Sequence, residues 1–600
     1  MRKYVIYQDF TEAITPVSTP AAPETITIDK WYQPRDNPVL RKTLKTAILA
    51  GSLFFFNPQS LIRNLTLTAD AGTFNVTGQT VSLKAARKIA ADSGSFSFTG
   101  QTVNLPITRK IISDSGSFAL SGQAATLRAD RKITSDAGSY SLSGQAVTFK
   151  RGVKIAADSG SYALSGQSVK FQRSVRADSG AYVLTGQDVN LIAAQRLIVD
   201  SGAFNLTGQD ITFRKGVKLS IDAGSYALTG QAATLSIQRK ILTDSGSFVV
   251  TGQTVLLHRK VRADSGSFAF SGSSVGLTVQ RKILTNAGSY LLNGQDVNLI
   301  SVIRLNAEAG SYLLTGQDVN FVYARKVIAD AGSFAVTGQD VTFRVHRRIA
   351  GDAGSYLING QNVTLTRGER LMLDAGSYSI NGSTATLTVQ RKITTDAASY
   401  LITGQAASLR AQRKILSNAG SFSLAGQAAN FSLSRLLSPV AGSYILTGGT
   451  VAFDSEAILS AAAGSFIVSG QDVAFRYTRV MAASAGSLNV NGQAASLLRG
   501  LKISGDSGVY NLTGSDVALR FGRTVSAQPG SFSLTGQNVN LLAEKILSAN
   551  AGSFVINGQD VAILKAQIFV VDPGSFNLSG QVIDIIYIPS TREFVQAIFM

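Results

Sequence analysis

The stretch SGSFALSGQAATLRADRKITSD, Ser115–Asp136, is one copy of the 22-residue unit whose reading decides the fold. Its leading glycine recurs at 72, 94, 116, 138, 160, 180, 202 and onward to 574, giving 24 copies, with Ala398 standing in once. Every step is 22 residues except Gly160 to Gly180 and Gly246 to Gly266, which are 20. A fixed period of this length marks a solenoid, propeller or fibre array and has to be read before any local motif.

Comparing copies gives G-[SA]-[FY]-x-[LVI]-[TSN]-G-Q-x-[VA]-x-[LF], a variable segment, and commonly R-K-[IV]-x-x-D-[AS]. The third position is aromatic everywhere but at Leu488. Phe118 and Leu120, then Ala125 and Leu127, alternate with small or polar residues, the period-2 pattern of half-buried strands. The parity changes at Gly122 and Gln123, so the chain must reverse or corner there. A type II′ turn with glycine first would set Leu120 opposite Ala125 and Phe118 opposite Leu127. At the second reversal, D-[AS]-G, Asp is expected to bond its own backbone and Gly to take positive φ. The two short copies lose their pair of residues in the variable segment, as in FQRSVRAD, Phe171–Asp178. Such a loss keeps every later strand residue on its face, whereas it would rotate a helix by about 200°.

The fold class is therefore all-β, an elongated repeat protein. A β-solenoid is favoured, with each copy one coil of three short strands; stacked about 4.8 Å apart, the coils would make a rod on the order of 115 Å. An antiparallel hairpin meander, or a trimeric β fibre shaft about twice as long, satisfies the same pattern. The chain divides into an N-terminal arm, anchor and cap over 1–64, a β-repeat rod over 65–586, and a C-terminal cap or contact segment over 587–600. The arm carries Pro16, Pro20, Pro23, Pro34, Pro38 and Pro58, which suits an extended attachment to another subunit.

Composition bounds the function. Of 600 residues, 44% are hydrophobic and 16% charged, which argues against wholesale disorder. Cysteine is absent, so disulfides, thiol catalysis and thiolate metal sites are all removed. No secretory signal opens MRKYVIYQDFTEAITPV, and the apolar run Ala47 to Phe56 is too short to span a bilayer. The formal charge of +19 comes largely from pairs such as Arg87 and Lys88, Arg109 and Lys110, Arg131 and Lys132, Arg239 and Lys240, and Arg391 and Lys392. Stacked, these make a basic stripe. It could attract an anionic cell-surface glycan, while the plainer reading is a solvated row that keeps the chain soluble. Nucleic acid is disfavoured because the aromatics sit at core positions and do not interleave with the basic residues.

Catalytic material is sparse. His258 and His346 are solitary and fall in variable segments, too little for a triad or a metal cluster. The recurring Asp lacks the spacing of calcium-binding nonapeptide repeats, and S-G-Q is no nucleophile elbow. No enzyme activity, catalytic residue, cofactor or metal is expected. Several late copies replace the turn Asp, at Val440, Ala462, Ser484, Gln528 and Asn550, yet keep the glycines and the apolar alternation.

Units such as AGSYALTGQAATL (Ala223–Leu235) and AGSFAVTGQDVTF (Ala331–Phe343) resemble the G-S-F-x-L-T-G arrays of structural proteins from tailed bacteriophages and prophages. KWYQPRDNPVLRK (Lys30–Lys42) is similar to a W-[FY]-x-x-x-x-x-P-V-x-x-K segment of such proteins. The resemblance implies a virion component made in the host cytoplasm, a fibre or attached rod that meets other virion proteins through its N-terminal arm. A glycan-binding adhesin or tailspike-like protein is the alternative, which would need aromatics exposed along one side; Tyr323 and Tyr477 are the candidates.

Overall fold

A computed structural model describes residues 25–27, 47–48, 52–54, 66–69 and 71–586, the last range with short breaks, mostly at the connection into the third strand of each coil. Most of the arm assigned to 1–64 and all of 587–600 therefore lie outside the described residues. The chain is all-β and divides into two compact units, Met1–Gln295 and Asp296–Met600. Each unit is a parallel β-solenoid whose coils follow the 22-residue period.

The reference coil has three strands, Ser117–Ser121, Ala124–Ala129 and Lys132–Ser135. Each pairs in parallel with its equivalents one period away: Phe118 with Phe96 and Tyr140, Leu127 with Leu105 and Phe149, Ile133 with Ile111 and Ile155. In several coils the first two strands run on as one, as in Ser161–Gln172 of the first unit and Ser421–Leu433 of the second. The favoured solenoid is thus the architecture, and the hairpin meander is excluded by the parallel pairing. Where two residues are missing the third strand shifts its partner by 20, Ile155 to Val175, and Ala156 and its partner Arg176 both stay on the accessible face. That is the behaviour expected of a strand.

Two turn assignments are corrected. Gly122 does not open a type II′ hairpin: the chain corners and continues, and its neighbour above and below is the glycine of the adjacent coil. Nor, Gly72 (φ 113°) apart, do the described D-[AS]-G glycines take positive φ. Their requirement is close approach. A Cβ on Gly116 would be driven into the carbonyl oxygen of Gly94, and one on Gly122 into that of Gly100. The corner's backbone bonds run to the coil before, Asp114 N–H to the Ala91 carbonyl at 2.9 Å and Ser115 N–H to the Asp92 carbonyl at 2.8 Å. Stacking holds the corner.

Inside, Phe118, Leu120, Ala125, Leu127 and Ile133 are all buried, each side chain worth about 1.5–3 kcal/mol where it is large. The aromatic positions stack coil on coil, with Tyr140 and Tyr162 rings 4.7 Å apart and 2° from parallel, and Phe453 and Phe475 in the second unit 4.1 Å apart. Tyrosine adds a tie across the corner. Tyr140 donates to the Thr134 carbonyl at 3.1 Å and Tyr356 to that of Ala350 at 2.6 Å. Tyr226, enclosed between Phe204 and Phe248, buries its hydroxyl with no partner. In the final described coil, Ile583 and Ile585 are 42% and 44% exposed, although they stand in register with buried Val561 and Ile563.

Adjacent glycines give a direct test of the stacking argument. A Cβ on Gly448 meets the Gly426 carbonyl oxygen head-on, whereas one on Gly449 finds its nearest neighbour, the Gln427 oxygen, at 3.2 Å. Gly448→Ala should cost about 2–4 kcal/mol in urea unfolding and Gly449→Ala under about 1 kcal/mol.

Burial raises the pKa of Tyr140, Tyr162, Tyr182, Tyr226 and Tyr444 above the ordinary value of 10.0. The folded state holds these phenols neutral, while the unfolded chain ionises them near pH 10. Their contribution is fully present below that pH and is lost as pH rises beyond it. The urea midpoint should accordingly fall steeply above about pH 10, with the tyrosinate absorbance of these five residues appearing only as the chain unfolds. At neutral pH Tyr226→Phe should be neutral or stabilising, and Tyr140→Phe should cost about 1 kcal/mol.

Candidate functional site: rows of stacked polar side chains

Because equivalent residues superpose, any side chain that points outward in one coil is repeated in the next at strand spacing. The surface is therefore a set of rows. The basic row begins the third strand: Lys88, Lys110, Lys132 and Lys154 stand in register in the first unit, and Arg304, Lys326, Arg348, Arg370, Lys392 and Lys414 in the second. Lys110, Arg370 and Lys414 are exposed, Lys88, Arg348 and Lys392 half-buried, and Arg391 beside Lys392 is exposed. The stripe expected from the R-K pairs is present in its lysine and arginine at that strand position. Arg87, Arg109, Arg131 and Arg239 lie outside the described residues.

The acidic row closes the same strand. Asp92, Asp114, Asp136 and Asp158 are exposed at successive corners of the first unit, as are Asp352, Asp374 and Asp396 in the second. Where the row meets Arg176, the guanidinium bonds both Asp178 and Asp200, the latter at 3.0 Å, and these bonds hold its pKa above the ordinary range. Elsewhere an amide ends the run of carboxylates: Asn286 donates to Asp264 at 3.1 Å and Asn418 to Asp396 at 2.6 Å.

A third set of rows lies on the outer face of the first two strands. Asn381 donates to Asn359 at 2.9 Å and accepts from Thr403, while Thr99 and Ser121 hydroxyls lie 3.1 Å apart. On the second strand Asp296, Asp318 and Asp340 follow one another in register until Asn362 donates to Asp340 at 2.7 Å. Asp516 and Asn538 repeat that rung. No single copy reveals these amide and hydroxyl rungs; the signal is visible only when the same position is followed from coil to coil.

The grooves offer little for chemistry. One, of about 370 Å³, follows the stacked Ala-Gly-Ser corners from Ala419 to Ser487; another runs along the Gly-Gln corners from Ser469 to Gln537. Both are lined by glycine, small residues and neutral polar side chains. No group of three His, Asp or Glu is placed to hold a metal among the described residues. His258 ends a strand in register with Ser236 and Thr278. His346 lies outside the described residues. Tyr323 and Tyr477 end second strands, in register with Val345 and Ser455.

No helix among the described residues is long and apolar enough to cross a membrane. No protein-family model, curated protein or solved structure matches the chain.

The rungs lead to a charge prediction. Asn362→Asp would place a fourth carboxylate in the Asp296, Asp318, Asp340 row, and two unit charges about 4.8 Å apart in water repel by about 1 kcal/mol. The variant should unfold at lower urea, by about 1–2 kcal/mol with the lost hydrogen bond included, and added salt should recover part of the difference.

Proposed function

We propose that the chain is a structural virion component of a tailed bacteriophage, a stiff β-repeat spacer attached to the particle through residues 1–64. The observation that carries the reading is uniformity: within each unit the described strands pair with the same strand of the next coil in one register, from first strand to third. Such a body resists bending through its backbone ladders and displays one polar pattern repeatedly. The G-S-F-x-L-T-G resemblance supports the virion setting, and the small-residue lining of the grooves supports a role without catalysis.

Antibodies raised against the repeat should label gradient-purified particles from the source culture in electron microscopy, and deletion of residues 1–64 should leave particles that lack the label. Antigen confined to cells, with particles unlabelled, would overturn the assignment. Saturable binding of the purified chain to a cell-surface glycan, with no antigen on particles, would replace it by the adhesin reading.

A further inference from the structure

The basic and acidic rows are not independent. In the second unit the third strand carries a basic residue at its start and an acidic one four residues on in Arg304/Glu308, Lys326/Asp330, Arg348/Asp352, Arg370/Asp374 and Lys392/Asp396. Lys414/Asn418 is the transition. In the next three coils both charges vanish together, as Leu436/Val440, Ile458/Ala462 and Val480/Ser484, and at Lys502/Asp506 both return. The strand starts remain in unbroken register throughout, Lys392 to Lys414 to Leu436 to Ile458 to Val480 to Lys502. Where the charges are lost, five of the six replacements are apolar and Ser484 is polar; Val440 is 45% and Ile458 40% exposed, and the others are half-buried.

A bridge within one coil does not account for this. The two positions are about 13 Å apart along an extended strand, at the limit of a fully stretched lysine. Such a bridge would explain keeping the charges together, but it would not explain replacing both with apolar side chains on a solvent-facing strand.

We propose that this third-strand face, from Arg304 to Ser484, is an interface between two copies of the chain, aligned in parallel with the two-fold axis along the stacking direction. Rotation about that axis brings the basic row of one copy over the acidic row of the other. Each coil then faces the same coil of its partner, Lys392 against the partner's Asp396 and Arg370 against the partner's Asp374. In the coils without charge, Leu436 faces the partner's Val440 and Ile458 the partner's Ala462. An antiparallel pair would instead set basic row on basic row. In the parallel pair, losing one charge of a coil strands the opposite charge of that same coil in the partner, which is the constraint that ties the two positions together. Nine coils at about 4.8 Å, with a face about 13 Å wide, make roughly 1,100 Å² over both copies, above the ~1,000 Å² expected of a specific contact. The proposal does not depend on the virion reading.

The test uses full-length chains in analytical ultracentrifugation at tens of micromolar. The wild type should sediment as a dimer at about 0.15 M salt, with dissociation rising at least tenfold toward 1 M salt as the paired rows are screened. D352K/D374K/D396K, with both rows positive, and R348E/R370E/K392E, with both negative, should each be monomeric and should form a heterodimer when mixed. A chain carrying all six exchanges should dimerise again, which separates lost pairing from lost folding. Since the chain has no cysteine, Thr394→Cys, midway between the rows, should be joined to itself by a short bis-maleimide. A monomeric wild type at low salt, a trimer, either single-row variant dimerising alone, or a dimer with no Thr394→Cys cross-link would each overturn the proposal.

Discussion

The constraint on which the structure rests is the approach of one backbone to the backbone one period later. At the corners this approach leaves no room for a Cβ, because the carbonyl oxygen of the coil before, such as Gly94 under Gly116, occupies its place. Glycine meets that condition without displacing a hydrogen-bonded neighbour, and Ala398 is the one leading position that carries a Cβ. Once the corners stack, the straight segments between them are held at ladder distance, and parallel pairing with a shift of one period follows. The apolar alternation then has one solution, with Phe118, Leu120, Ala125, Leu127 and Ile133 turned to a common interior.

From that arrangement the rest of the energetics descends. Superposed coils bring like on like, which is favourable for aromatic rings, for apolar side chains and for amides that can donate to the next copy, as Asn381 does to Asn359. For charges it is unfavourable, and the chain answers with amides at the ends of carboxylate runs, Asn362 after Asp340 and Asn418 after Asp396. The same multiplication makes a buried tyrosine hydroxyl satisfied at Tyr140 yet left without a partner at Tyr226. Stacking carries a side chain to its place whether or not its polar atom finds a mate.

Much of this could be read from the sequence, and the failures have physical causes. Period, alternation and the two-residue deletions pointed to stacked strands, since a deletion of two preserves strand faces. Glycine serves two ends, positive φ and absence of Cβ, and a single copy of Ser-Gly-Gln cannot tell them apart. Comparison of Gly448 with Gly449 can: the first position is glycine in every copy, whereas the second is glutamine in most and tolerates a side chain. The tie from Tyr140 to the Thr134 carbonyl was hidden for a different reason. It crosses a corner, and its existence depends on where the third strand of the preceding coil delivers its backbone.

The two shortened coils carry a consequence for inheritance. Ile155 passes its register to Val175 across a loss of two residues, so the joint between second and third strands absorbs length variation. Removal or duplication of a whole unit would join two corners that already fit. A gene built this way can grow or shrink by unequal recombination between its own copies, each product folding by the rules of its parent, and the number of units becomes a quantity that selection can adjust freely.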